Sequence, residues 1–238
     1  MTTGLTIAVL GATGMVGSRV ITEAVTRGHH VRALSRKPAD EDRSVTPFPV
    51  DANDTDALCE ALAGADAVVV AVRTDPVDQD FLVGTTRAVL DTGIRTLVVG
   101  GAGVLRSPED PALLVADNPV YVPEEVKPVA AAGVAQLRAC EGHGGDWAYL
   151  APPALLAPGE RTGHYRRGTD TLLTATDGRS WISAEDLAVA VLDELEAPGA
   201  DRVVTVVHDD RRTGQRPKGA RGTARPATTA PQTTTTAR

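Results

Sequence analysis

The chain has 238 residues and a formal net charge of −7; 42% of it is hydrophobic but only 3% aromatic. One α/β domain fits this length, and a core so poor in aromatics must be Val, Leu, Ile and Ala, as in a parallel sheet buried under helices. The acidic balance argues against nucleic acid as the main partner, and the lack of any run of about 18 apolar residues argues against a membrane span.

Short β-rich runs alternate with helical stretches along the chain. Leu5 to Leu10 predicts a first strand, residues 14–28 a helix with Val16, Val20 and Ala24 on one face, and Val31 to Leu34 a second strand. The third strand, Val45 to Val50, carries Pro47 and Pro49 and is therefore expected at the periphery. Asp54 caps a helix running to Leu62. Ala67 to Val72 is nearly continuous apolar sequence, as a strand covered on both faces requires. A helix over 78–92, stopped near Gly93, leads to a fifth strand at Thr96 to Val99 and the turn Gly100-Gly101-Ala102-Gly103. A long proline-containing stretch, Val104 to Glu125, comes next, and loops of that length in a compact domain are often functional.

A helix from about Val126 to Cys140 is expected to carry Val126, Val129, Ala130, Val134 and Leu137 on one side, and Trp147 to Leu150 is a sixth strand closed by Pro152-Pro153. Asp177-Gly178, between two β-rich runs in 164–182, signals a hairpin. Ser183 and Asp186 form a capping box for a helix carrying Leu187, Val191 and Leu195, and Val203 to Val207 is the last strand. Cys59 and Cys140 fall in helices without a CxxC spacing and read as small buried hydrophobes. The histidines lack metal-ligand spacing. The pattern predicts a doubly wound parallel sheet over residues 1–210. Residues 211–238 hold seven basic residues and no acidic one, leaving 17 basic against 31 acidic before them; this Thr/Pro/Arg-rich tail is expected to be disordered. No basic region precedes the first strand, so the cytoplasm is the expected location.

Gly11-Ala12-Thr13-Gly14-Met15-Val16-Gly17 lies between the first strand and the first helix. There Gly11 permits the sharp turn, Gly14 lets the backbone approach a pyrophosphate, and Gly17 lets the helix pack closely; the helix N-terminus offers free N–H groups to the phosphates. A loop that has kept the turn and lost binding is the alternative. At the end of the second strand stand Ser35-Arg36-Lys37 rather than an acidic residue. A carboxylate there would repel a 2′-phosphate, whereas Arg36 pairs with it, so NADP(H), with NADPH preferred over NADH, is the expected cofactor. Asp51, at the end of the third strand, reads equally as a helix-entry cap or as a neighbour of the adenine. Ala71, Val72 and Gly101 are expected to line the cofactor.

The sequence resembles the atypical short-chain dehydrogenase/reductases of the NAD(P)H-binding, NmrA-like type, including flavin and biliverdin reductase B relatives. The resemblance rests on GATGMVG at 11–17, Ser35-Arg36, GGAG at 100–103, WAYLAPPALLAPGERTGHYRRG at 147–168 and DGRSWISAEDLAVAVLDELE at 177–196, and covers roughly residues 4 to 208. It implies a single Rossmann domain with a small C-terminal substrate lobe, and hydride transfer to a flavin, a quinone or a similar acceptor in active members; other members are thought to sense the cofactor without catalysis.

The Tyr-x-x-x-Lys pair of typical short-chain dehydrogenases, whose phenol passes a proton, is absent. Tyr121 and Lys127 are the weak candidates, though they lie six positions apart; an ordinary surface lysine is the favoured reading of Lys127. The turn after the fifth strand has no hydroxyl. Pro153, His164 and Tyr165 are weak candidates for contact with substrate, the bland reading of the last two being a strand-edge pair. The expected function is therefore an NADPH-dependent oxidoreductase acting on a small conjugated acceptor, as a monomer or homodimer. A non-catalytic NADP(H)-binding redox sensor is the alternative, and an isomerase or dehydratase, which would need acid–base groups, ranks third.

Overall fold

The computed structural model describes residues 4–38 and 44–209, so the expectation for the 211–238 tail falls outside the described residues. In chain order the elements are β1 (Thr6–Leu10), α1 (Met15–Thr26), β2 (His30–Ser35), β3 (Val45–Pro49), α2 (Thr55–Leu62), β4 (Ala67–Val70), α3 (Gln79–Asp91), β5 (Arg95–Val99), α4 (Lys127–Glu141), β6 (Trp147–Ala151), β7 (Leu155–Ala157), β8 (Tyr165–Gly168), β9 (Trp181–Ser183), α5 (Ala184–Glu196) and β10 (Val203–His208). Eight strands form one sheet in the order β3-β2-β1-β4-β5-β6-β10-β8, all parallel except β8. Strand order reverses between β1 and β4, and the crevice beyond their carboxyl ends is where open α/β sheets bind ligands.

The continuous apolar strands are explained by cover on both faces. Ala8, Leu10, Val68 and Val70 pack with Leu58 and Leu62 of α2 and Val89 and Leu90 of α3. Their neighbours Ile7, Val9, Ala67 and Val69 pack with Val20 and Ala24 of α1 and Leu187 and Val191 of α5. The proline-bearing β3 is the edge strand, as its sequence requires. Asp54, Asp78 and Ser183 cap α2, α3 and α5 by accepting from Ala57, Phe81 and Asp186 amides.

Four expectations need correction. The Asp177-Gly178 turn exists, with Gly178 at φ +82° and its amide bonded to the Ala175 carbonyl at 3.0 Å, but it makes no hairpin. β8 pairs antiparallel with β10, and β9 pairs parallel with β7, because each run finds a longer-range edge. Of the expected α4 stripe, Ala130, Val134 and Leu137 do pack against the core, but the fully buried residues of the helix are Ala132, Gln136, Ala139 and Cys140, and Val126 and Val129 are 40% and 47% exposed. Cys59 is exposed while Cys140 is buried: α2 turns Leu58, Ala61 and Leu62 inward, and the residue after Leu58 points away. The capping box is half made. Ser183 caps, but the Asp186 carboxylate, wholly buried, instead accepts from Thr162 N (2.8 Å), Thr162 Oγ1 (2.6 Å) and Gly163 N (2.7 Å).

Those last bonds fasten the small C-terminal lobe. The segment 158–164, which follows β7, lies across α1 and α5. Gly159 N donates to Glu185, Ser183 Oγ to the Glu160 carbonyl, and Arg161 to the nearly buried Glu23 of α1 through two bonds of 2.7 and 2.9 Å. Arg161 and, less strongly, Arg27 hold the Glu23 carboxyl below its ordinary range against the opposing effect of burial.

Candidate dinucleotide and acceptor site

The glycine loop leaves β1 at the switch point. Gly11 has φ +92°, and a Cβ on it would lie 2.4 Å from the Ala71 carbonyl oxygen. A Cβ on Gly17 would lie 2.2 Å from the Gly11 carbonyl oxygen, so both glycines are required by close backbone approach. The amides of Gly11 and Ala12 donate to the Leu34 carbonyl at 3.0 and 3.1 Å, tying the loop to the end of β2. Thr13, Gly14 and Met15 are exposed and Val16 half-buried. The first bond of α1 runs from Ser18 N to the Gly14 carbonyl, so the amides of Met15, Val16 and Gly17 precede any intrahelical acceptor. Gly14 supplies no side-chain cap and the first turn holds no acid, which suits an anion.

A test of the fit to a phosphorylated ribose comes from Ser35. Its Oγ is buried and, among the described residues, has no hydrogen-bond partner, although its carbonyl takes the Val50 amide at 3.0 Å. An unpartnered hydroxyl is costly unless a ligand satisfies it. Arg36 and Lys37 beside it are exposed. The Asp51 carboxylate accepts from Asn53 N (3.0 Å) and Nδ2 (2.9 Å); these bonds, with a smaller contribution from the Arg36 charge, lower its pKa. Asp51 thus shapes the entry to α2, whose cap is Asp54, while its carboxylate stays exposed within reach of the Arg36 charge. The cap reading of Asp51 is therefore corrected, since the N-cap of α2 is Asp54. Ala71, whose amide bonds the Leu10 carbonyl at 2.9 Å, and Val72 are half-buried just past β4, bordering Gly11.

The proton-donor candidates are all engaged. Tyr121 donates to Glu109 at 2.8 Å and packs against the core; burial first, and then Glu109, raises its pKa. Lys127 bonds to Glu124 on the surface. Tyr165 donates to Asp193 of α5 at 2.5 Å and packs in the layer of α1 and α5, so its hydroxyl serves the β8–α5 contact. His164 accepts through its carbonyl from Asp209 N, and Pro153 is buried after β6. Sequence reasoning missed Tyr149. This β6 residue is fully buried, and its phenol lies where a Cβ on Gly100 would be, 1.9 Å from that position.

The sequence profile of the NAD(P)H-binding family matches residues 11–198. The chain belongs to this family. Among proteins similar to it, uncharacterised YwnB of Bacillus subtilis is 34% identical over 200 residues, 81% of this chain and 92% of YwnB. A structure described as a candidate exported protein of Burkholderia pseudomallei is 37% identical (TM-score 0.74), covering 86% of this chain and 100% of its own. A candidate epimerase of Bacteroides thetaiotaomicron is 33% identical (TM-score 0.78; 88% and 99% covered), and a candidate NADH-flavin reductase of Streptococcus pneumoniae TIGR4 is 29% identical (TM-score 0.76; 86% and 100% covered). The family match spans the glycine loop through α5 and identifies the chain as a protein of NAD(P)H-binding type. Among the described residues no helix is long and apolar enough to cross a membrane.

Proposed function

We propose that this protein is an NADPH-dependent reductase of a small, planar, conjugated acceptor such as a flavin or quinone, acting in the cytoplasm as a monomer or homodimer. The carrying observation is a glycine loop with the free amides of Met15, Val16 and Gly17 at the switch point, beside a turn, residues 100–103, that has no proton-donating side chain, while Tyr121, Lys127 and Tyr165 are bonded elsewhere. NADPH, when bound, supplies the hydride. The protein's part is to hold the pyrophosphate on the amides of Met15, Val16 and Gly17, to meet the 2′-phosphate with Ser35, Arg36 and Lys37, and to hold the acceptor against the nicotinamide. A conjugated acceptor delocalises the charge it receives and takes its proton from water, so no protein acid is needed. The same consideration weighs against an epimerase, whose chemistry needs acid and base in place. The Streptococcus pneumoniae relative is described with NADH; the basic pair at 36–37 and the unpartnered Ser35 hydroxyl are the grounds for preferring NADPH here. Purified protein should consume NADPH, followed at 340 nm, with FMN or menadione. Tight NADPH binding without turnover on a panel of flavins and quinones would overturn the reductase reading in favour of a cofactor sensor.

A further inference from the structure

The turn after β5 is bare of side chains, yet it is tightly defined from beneath. A Cβ on Gly100 would overlap the Tyr149 phenol, and one on Gly103 would lie 3.1 Å from the Ala130 Cβ of α4. The Tyr149 hydroxyl donates to the Gly133 carbonyl of α4 at 3.2 Å, and the Gly101 amide interacts with the same oxygen. A phenol has one proton to donate and lone pairs left to accept, so one hydroxyl can tie α4 and the turn together. Burial raises its pKa, which keeps the phenol neutral and able to serve both partners. Beside it, the buried Gln136 of α4 donates to Thr86 of α3 at 3.0 Å, and Thr86 to the Leu82 carbonyl at 2.7 Å. The platform under the turn is thus cross-tied through three elements.

Gly101 differs from Gly100 and Gly103. Nothing lies within 4 Å of the place its Cβ would take, and its φ of −134° suits any residue. Neither the backbone nor the packing asks for glycine there. It is partly exposed at the carboxyl end of β5, the strand beside β4, whose end borders Gly11.

We infer that Gly101 is the acceptor-facing floor of the site, kept bare so that a flat ring can lie directly on the backbone, and that Tyr149 is the positioning residue that sets the height and tilt of that floor from the buried side. This rests on the proposed reductase reading but is tested by binding as well as by rate. A side chain at 101 would occupy the ring's place, and loss of the phenol's bonds would let the turn shift without touching the dinucleotide cradle.

The test uses the full chain carrying NADP+, with FMN and menadione as probes. Gly101→Ala should keep the melting temperature of the parent, while FMN binding, read by quenching of flavin fluorescence, weakens about tenfold, equivalent to about 1.4 kcal/mol, and by more than NADP+ binding does. Gly101→Leu should abolish FMN binding. Tyr149→Phe retains the ring packing and removes the hydroxyl; it should raise KM for menadione severalfold with NADPH affinity unchanged. Unchanged FMN affinity in Gly101→Ala and Gly101→Leu, or a parent that binds neither probe, would overturn the floor. A Tyr149→Phe variant that loses only thermal stability would overturn the positioning role. A parent that binds FMN at this turn but never reduces it would instead sink the reductase reading and leave the floor standing.

Discussion

Replacing Arg36 with alanine tests the proposed preference for NADPH over NADH. Arg36 is exposed next to the buried Ser35 hydroxyl, which has no partner among the described residues, so on the proposed reading its guanidinium would meet the 2′-phosphate in water rather than in a closed pocket. Charge-assisted hydrogen bonds are worth about 1.5–3 kcal/mol, and solvent screening places this one at the low end. About 1.5 kcal/mol corresponds to slightly more than tenfold in affinity. NADPH binding should therefore weaken about tenfold in Arg36→Ala and further in the double variant with Lys37→Ala, while NADH binding barely changes. Asp51 supplies an opposite control. Its carboxylate interacts with Arg36 and, on the proposed reading, would repel the 2′-phosphate, so Asp51→Asn should tighten NADPH relative to NADH. The assay is a titration of both nucleotides at one fixed ionic strength, since salt screens these contacts. Equal losses for NADPH and NADH in Arg36→Ala would refute the reasoning and give Arg36 a role in the fold or at the adenine.

Gly11→Ala should lower the melting temperature by about 4 °C or more, because a left-handed alanine costs about 1–2 kcal/mol and its Cβ meets the Ala71 carbonyl; an unchanged melt would show the loop free to relax. Asp186→Ala strips the acceptor from three donors and should cost about 2–4 kcal/mol in denaturant titration and expose 158–164 to proteases; resistance to cleavage would refute the anchoring role. Glu23 has a folded pKa below the ordinary 4.5, set first by Arg161, so its stabilisation is present above that value and fades as pH falls through the folded pKa. Glu23→Gln should flatten the melting-temperature profile only below about pH 4.5 relative to the parent, and a difference in slope near neutrality would contradict this. Tyr165→Phe removes the bond to Asp193 and should leave menadione KM unchanged; a rise would return Tyr165 to the acceptor site.

What the sequence makes legible here is what short-range physics decides. The glycine loop is readable because each glycine answers a clash within seven residues of itself or with the adjoining strand end, and the β3 edge is readable because proline withholds a donor. The Asp177-Gly178 hairpin fails because a tight turn dictates only the turn: which edge β8 and β9 find depends on β10 and β7, each more than twenty residues away. α4 is misjudged for a related reason. Val134 packs as the stripe suggests, but Val126 and Val129 at the start of the helix do not, and the most buried face carries small residues and Gln136, where the helix lies close to the Gly103 turn and to Tyr149 of β6. Tyr149 was invisible for want of register. Only the pairing of Val98 with Tyr149 brings the phenol beneath Gly100, although a doubled glycine after an apolar strand is a hint that something bulky comes close.

The central claim is hydride transfer to an acceptor without an acid from the protein. A crystal structure of the protein with NADP+ and menadione tests it most directly. The account predicts the quinone ring on Gly101, within about 4 Å of nicotinamide C4, with water and no titratable side chain in hydrogen-bond reach of its carbonyl oxygens. A Tyr121 hydroxyl or Lys127 ammonium swung in to bond that oxygen would contradict it.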